Sequence, residues 1–145
     1  MSLSPSGSVI NSVGQARTFR ALYSDPNGYS NIRFAFLQVK SGSSGVLRAR
    51  YDLLTNQLSL LNDAGTGYSA GVPLGTDRIL TNRQGSLSCK LTKVAASGNS
   101  LQIDWVVAAG SALAGSSHPV LLLVQDRGNL TDGLDLSATW QIASQ

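Results

Sequence analysis

Oxygen-bearing side chains gather in two stretches of this chain. Asp25 and Asn27 lie in "YSDPNGYSN", and Asp126, Asn129, Asp132 and Asp135 lie in "QDRGNLTDGLD". A hard cation such as calcium takes roughly six to eight oxygens from carboxylates, amides and backbone carbonyls. If the fold carries both stretches to one pole, Asp25, Asn27, Asp126 and Asn129 are its candidate ligands, with Asp132 and Asp135 beside them. The competing reading needs no ion. Pro26 and Asn27 form a turn centre, Gly28 supplies positive φ, and Asp25 caps backbone amides. No EF-hand spacing is present, so the turn is preferred and calcium is kept as the alternative.

Other chemistries are thinly supplied. Sugar recognition wants exposed planar rings, and Tyr29 and Tyr68 are the aromatics that fall in loops. Trp105 and Trp140 alternate with polar residues in a way that points them into a core. All eight acidic residues are Asp, so a carboxylate pair for glycoside hydrolysis would need two turn residues. The single histidine, His118, precedes Pro119 at a strand start. No G-x-S-x-G elbow accompanies it, and its role reads as structural. The single cysteine, Cys89, excludes an intramolecular disulfide and alternates with Ser88 and Lys90, as a small inward hydrophobe does. No glycine-rich phosphate loop opens a helix. The expectation is no enzyme and no cofactor, calcium excepted.

The elements that must position these residues read as strands. Phe19, Ala21 and Tyr23 oppose Thr18 and Arg20; Leu47, Ala49 and Tyr51 oppose Arg48, Arg50 and Asp52. Leu87, Cys89 and Leu91 oppose Ser86, Ser88 and Lys90, and Leu101, Ile103, Trp105 and Val107 oppose Gln102 and Asp104. Leu136, Ala138, Trp140 and Ile142 oppose Ser137, Thr139 and Gln141. Period-two alternation marks half-buried strands. "NIRFAFLQV" and "PVLLLVQD" are apolar on both faces, as in strands covered on both sides. The turn signals "DPNG", "SGSSG", "NDAGTG", "TNRQG", "ASGNS" and "DRGNLTDG" separate them. Two half-apolar sheets must cover each other. The reading is all-β: an immunoglobulin-like antiparallel β-sandwich of about seven to nine strands. It forms one domain over 1–145, with 1–14 a loosely held N-terminal edge segment. In that topology the turn after the second strand and the turn between the last two share a pole.

Composition narrows the partners. Glu is absent and Lys is scarce, so helical surfaces are poorly provided for. The net charge is +3, and the arginines are scattered along the sequence without an obvious basic patch, so no nucleic-acid partner is expected. No apolar run reaches bilayer length, so no membrane insertion is expected. The opening "MSLSPSGS" has neither the basic nor the apolar region of a secretion signal, and suggests a piece of a longer exported chain.

The order "TFRALYSDPNGYSNIRFAFLQV", "YDLLTNQLSLLNDAGTG", "SGNSLQIDWVV" and "VLLLVQDRGNLTDGLDLSATWQI" resembles a recurring module of large exported bacterial proteins. In that module an aromatic strand ends in "YSDPNG" and the closing strand usually carries G-T-W, where this chain has Ala138-Thr139-Trp140. The resemblance covers most of the chain from Ser4 to Ile142. It implies an immunoglobulin-like fold, a place in a secreted or cell-surface chain, and no established catalytic activity. The expected function is a non-catalytic spacer or adhesion/interaction module. Its partners would be neighbouring domains, a protein or a polysaccharide. The alternative is a carbohydrate-binding accessory domain of an extracellular enzyme.

Overall fold

The alternating segments become paired strands in the computed structural model, which describes residues 1–41 and 45–145. In chain order these are β1 (Ser2–Ser4), β2 (Gly7–Asn11), β3 (Ala16–Ser24), β4 (Ile32–Lys40), β5 (Val46–Asp52), β6 (Gln57–Leu60) and β7 (Val72–Pro73). They continue with β8 (Ile79–Thr81), β9 (Gly85–Ser88), β10 (Lys93–Ser97), β11 (Ser100–Ala109), β12 (Ser116–Asp126) and β13 (Thr131–Ile142). Two single-turn 3-10 segments, Tyr29–Asn31 and Ser111–Leu113, are the helical elements among the described residues. None is long and apolar enough to cross a membrane. The predicted turn Ser41–Gly45 runs through 42–44, outside the described residues.

Two sheets pack face to face. One has six strands in the order β1-β3-β11-β9-β8, with β10 also on β11; the other has seven, in the order β2-β13-β12-β4-β5-β6-β7. The chain is therefore an all-β sandwich. The interior is the set of residues that alternation assigned to it. Phe19, Ala21 and Tyr23 of β3 and Leu101, Ile103 and Trp105 of β11 face Ala35, Leu37, Leu47, Ala49, Leu122 and Trp140 across the gap. The two tryptophans are fully buried, and each indole N–H has an acceptor. Trp105 Nε1 donates to the Tyr23 hydroxyl at 2.9 Å, which itself donates to the Phe36 carbonyl oxygen at 2.9 Å. Trp140 Nε1 donates to Asn11 Oδ1 at 2.8 Å, and its ring meets Phe19 edge-on at 5.4 Å. Burying aromatic area while satisfying its polar atom is what a core tryptophan requires.

Several expectations are corrected. Thirteen strands form among the described residues instead of seven to nine, because short pieces such as β1, β7 and β8 pair along the margins. The sandwich is not purely antiparallel: β2 runs parallel to β13, Ala138 opposite Gly7 and Ile142 opposite Asn11. Leu91 is exposed, since the strand holding Leu87 stops at Ser88 and a turn follows, with Thr92 N donating to Ser88 O. Cys89 keeps its predicted inward place. Leu136 does not share a face with Ala138 and Trp140. The register slips between Val120 and Leu121, so Ala138 faces Val120 but Leu136 faces Leu121. A one-residue bulge sends every later side chain to the opposite face, and Leu136 is 67% exposed.

Candidate functional site

The turn after β3 and the turn between β12 and β13 do meet. Asp25 and Pro26 line one cleft with Asp126, Leu130 and Asp132, and Arg127 N donates to Asn31 O at 2.8 Å across the two turns. Asp25 and Asp126 are engaged with their own loops. Asp25 Oδ1 accepts from Asn27 N at 2.8 Å and Oδ2 from Asn31 Nδ2 at 3.0 Å. Asp126 Oδ1 accepts from Gly128 N and Leu130 N at 2.8 and 2.9 Å. These are side-chain-closed turns, the arrangement Asp adopts for backbone reasons. Asn129 sits at positive φ, as a turn residue does, and its Oδ1 accepts from Gln125 Nε2 at 3.4 Å. Asn27 and Asp135 are exposed. Among the described residues no group of three or more His, Cys, Asp or Glu comes together as a metal site would need.

A second cluster, which residue spacing did not reveal, lies on the outer face of the seven-stranded sheet. β4 sends Ala35, Leu37 and Val39 inward, which leaves Phe34, Phe36 and Gln38 facing out. On the adjacent β5, Leu47, Ala49 and Tyr51 point inward, so Arg48 and Arg50 share that outer face. The register sets Gln38 opposite Arg48, Phe36 opposite Arg50 and Phe34 opposite Asp52. Each long arginine leans diagonally onto a neighbouring ring. The Arg48 guanidinium carbon lies 4.6 Å from the Phe36 centroid; that of Arg50 lies 4.7 Å from Phe34 and 4.0 Å from Tyr68. Arg33 stacks on Phe34 at 4.6 Å. Tyr68 is brought over the sheet by the loop after β6, where Leu61 and Tyr68 form a bridge, and its ring lies 6.4 Å from that of Phe36. Guanidinium over a ring face is a favourable electrostatic contact, worth about 0.5–1 kcal/mol near a surface.

The charges of this cluster are unevenly balanced. Arg33 forms a forked pair with Asp52, at 2.9 and 3.1 Å. Among the described residues the other ion pair is Arg20–Asp104, on the opposite sheet. Among the described residues Arg48 and Arg50 form no direct ion pair with a carboxylate, and the Nε of each is buried without an acceptor. Burial lowers the Arg50 pKa from its ordinary value; Tyr68 and Asp52 oppose that shift, and Arg33 and Arg48 add to it. Burial raises the Tyr68 hydroxyl pKa, against the pull of Arg48 and Arg50. On the far side of β4 from the arginines, Leu121 and Leu123 of β12 are half-buried and pair with Gln38 and Phe36, and Leu136 continues the row outward.

Of the residues singled out from sequence, Tyr68 belongs to this face. Tyr29 sits elsewhere, in the 3-10 turn before β4, with its N–H on the Gly98 carbonyl oxygen at 3.0 Å. His118 is buried and donates from Nε2 to the Leu113 carbonyl oxygen at 2.8 Å. Burial raises the Cys89 thiol pKa. The signal for the face was present as the alternations R-F-A-F in β4 and R-A-R in β5. It was masked because β4 reads as apolar throughout. No protein-family model, curated protein or solved structure matches the chain.

Proposed function

We propose that the chain is a non-catalytic, immunoglobulin-like module of a secreted or cell-surface bacterial protein. It acts as an interaction domain through the outer face of its seven-stranded sheet. The observation that carries this is the clustering of Arg48 and Arg50, neither directly ion-paired among the described residues, over Phe34, Phe36 and Tyr68. Arginine and aromatics are the residues that dominate binding energy at protein surfaces, through stacking and forked hydrogen bonds to anions. A spacer has no need of two guanidinium groups held side by side on one face without a direct carboxylate fork among the described residues.

The strand order supports the immunoglobulin-like part. The order β1-β3-β11-β9 corresponds to the A-B-E-D sheet of that fold, and β13-β12-β4-β5-β6 to G-F-C-C′-C″ of its variable type. The inter-sheet disulfide of antibody domains has no counterpart in a chain with one cysteine. Exported placement is supported by the Asp-only acidic set and the resemblance described above. The carbohydrate-binding alternative is less well served. Sugars stack on bare ring faces, and here Phe34, Phe36 and Tyr68 carry guanidinium groups on theirs.

The test is retention on a panel of immobilised extracellular proteins and cell-wall polysaccharides. Wild-type domain is compared with Arg50→Ala and, as a control on the other sheet, Arg20→Ala. Retention lost in Arg50→Ala and kept in Arg20→Ala is expected. Equal retention of all three would move binding off this face, and retention of none would return the module to the role of spacer.

A further inference from the structure

Two guanidinium groups two residues apart on one strand define a spacing. β5 rises ~3.4 Å per residue, so the Cα atoms of Arg48 and Arg50 are separated by roughly 6.8 Å along the same sheet face. The groups repel each other, and Asp52 offsets the Arg50 charge only at a distance, because its oxygens are bonded directly to Arg33. Stacking on Phe36, Phe34 and Tyr68 restricts both guanidinium planes and lowers the ordering cost of a forked pair. A binding partner that supplies two carboxylates at this spacing would relieve the repulsion and use both forks.

Resting on the reading of this face as a binding surface, we infer that Arg48 and Arg50 take an extended acidic protein segment with carboxylates at alternate residues. An extended chain presents every second side chain on one side, at the same rise as β5, so the pairs form in register. Leu121, Leu123 and Leu136 favour a protein over an acidic polysaccharide. They extend the same sheet face, and Leu136 is 67% exposed. Apolar side chains of a peptide or domain can cover this strip, and a polyuronate has nothing comparable to place on it.

The test uses the whole 145-residue chain and three probes. These are a fluorescein-labelled peptide alternating Asp and Val, an isomer of the same composition with its aspartates grouped at one end, and polygalacturonate. Anisotropy should report binding of the alternating peptide, weakening as salt is raised. The affinity should drop about tenfold or more in the Arg48→Gln/Arg50→Gln variant, and be unchanged in Arg20→Gln. Should the double glutamine variant fail to fold, Arg48→Lys/Arg50→Lys keeps the charge but loses the fork and is expected to bind more weakly than wild type. Equal affinity for the grouped isomer would overturn the alternating register. Binding of polygalacturonate alone, lost in the double variant, would overturn the protein partner while leaving the face as the binding surface. Peptide binding insensitive to both double variants would remove the inference and the face together. Absence of binding by any probe overturns the inference, and the panel with Arg50→Ala then judges the face separately.

Discussion

Tyr23 is the polar hinge of the core: its hydroxyl accepts from Trp105 and donates to the Phe36 carbonyl oxygen, with no exposed surface. Burial pushes its pKa far above the ordinary tyrosine value, and the Trp105 hydrogen bond only partly opposes this. The folded phenol therefore stays neutral at pH values where the unfolded one ionises, near about 10. Stability from this group is fully present below that pH and is lost as pH rises beyond it. Tyr51 and Tyr68, raised chiefly by burial, act in the same direction. Urea denaturation should show a falling free energy of unfolding from about pH 10 upward. Tyr23→Phe should flatten that fall while costing about 1–3 kcal/mol at neutral pH, because the Trp105 N–H loses its acceptor. An alkaline slope identical in wild type and variant would mean that Tyr23 does not hold its proton through the transition. The same residue-scale bookkeeping explains the carboxylates. Asp25 and Asp126 were legible as turn residues from their Pro, Asn and Gly neighbours, and their oxygens are found on turn amides.

Among the elements, alternation placed most of β3, β5 and β11 correctly because those strands are regular. It failed on β13, where the register slips twice against β12, between Val120 and Leu121 and again between Leu122 and Leu123. Alternation cannot anticipate a bulge, since the pattern on either side looks unbroken. The second slip is built around Gly133, which has φ +124, and a Cβ there would meet Leu122 O at 2.5 Å and Leu123 Cα at 3.0 Å. A side chain is excluded both by conformation and by backbone that cannot move aside. Gly133→Ala should therefore cost about 1–3 kcal/mol. Amide exchange should quicken first along Thr131–Leu136, which lacks a partner on its other edge because β2 pairs only with Ala138–Ile142. Unchanged stability would show that β13 can return to a regular register, carrying Leu136 out of its row with Leu121. The arginine face was hidden for a related reason. Phe34 and Phe36 looked like core residues of a strand apolar on both sides, and only pairing with β5 reveals what covers them.

The whole molecule is closed by its first eleven residues, which the sequence suggested were loosely held. β1 adds to the six-stranded sheet through Leu3 opposite Ala21, and β2 crosses to the seven-stranded sheet beside β13. Leu3 and Val9 enter the core from this segment. At its end, Asn11 Oδ1 accepts from Trp140 Nε1 and from Arg17 Nε, both at 2.8 Å, while its carbonyl oxygen accepts from Ala143 N at 2.9 Å. One carboxamide thus ties the last strand to the third. Asn11→Ala would leave the fully buried indole N–H without an acceptor, at a cost of about 1–3 kcal/mol. Removing 1–11 should cost more, because Leu3 and Val9 leave with it and the indole of Trp140 meets water. Thermal and urea unfolding followed by tryptophan emission can separate the two cases. The expected order of stability is wild type, then Asn11→Ala, then the truncation, with a red-shifted native emission in the truncation alone. If the truncated chain melts where the full chain does, with its emission unmoved, the segment is the loose edge that its sequence suggested, and the sheets are held together by their facing side chains without it.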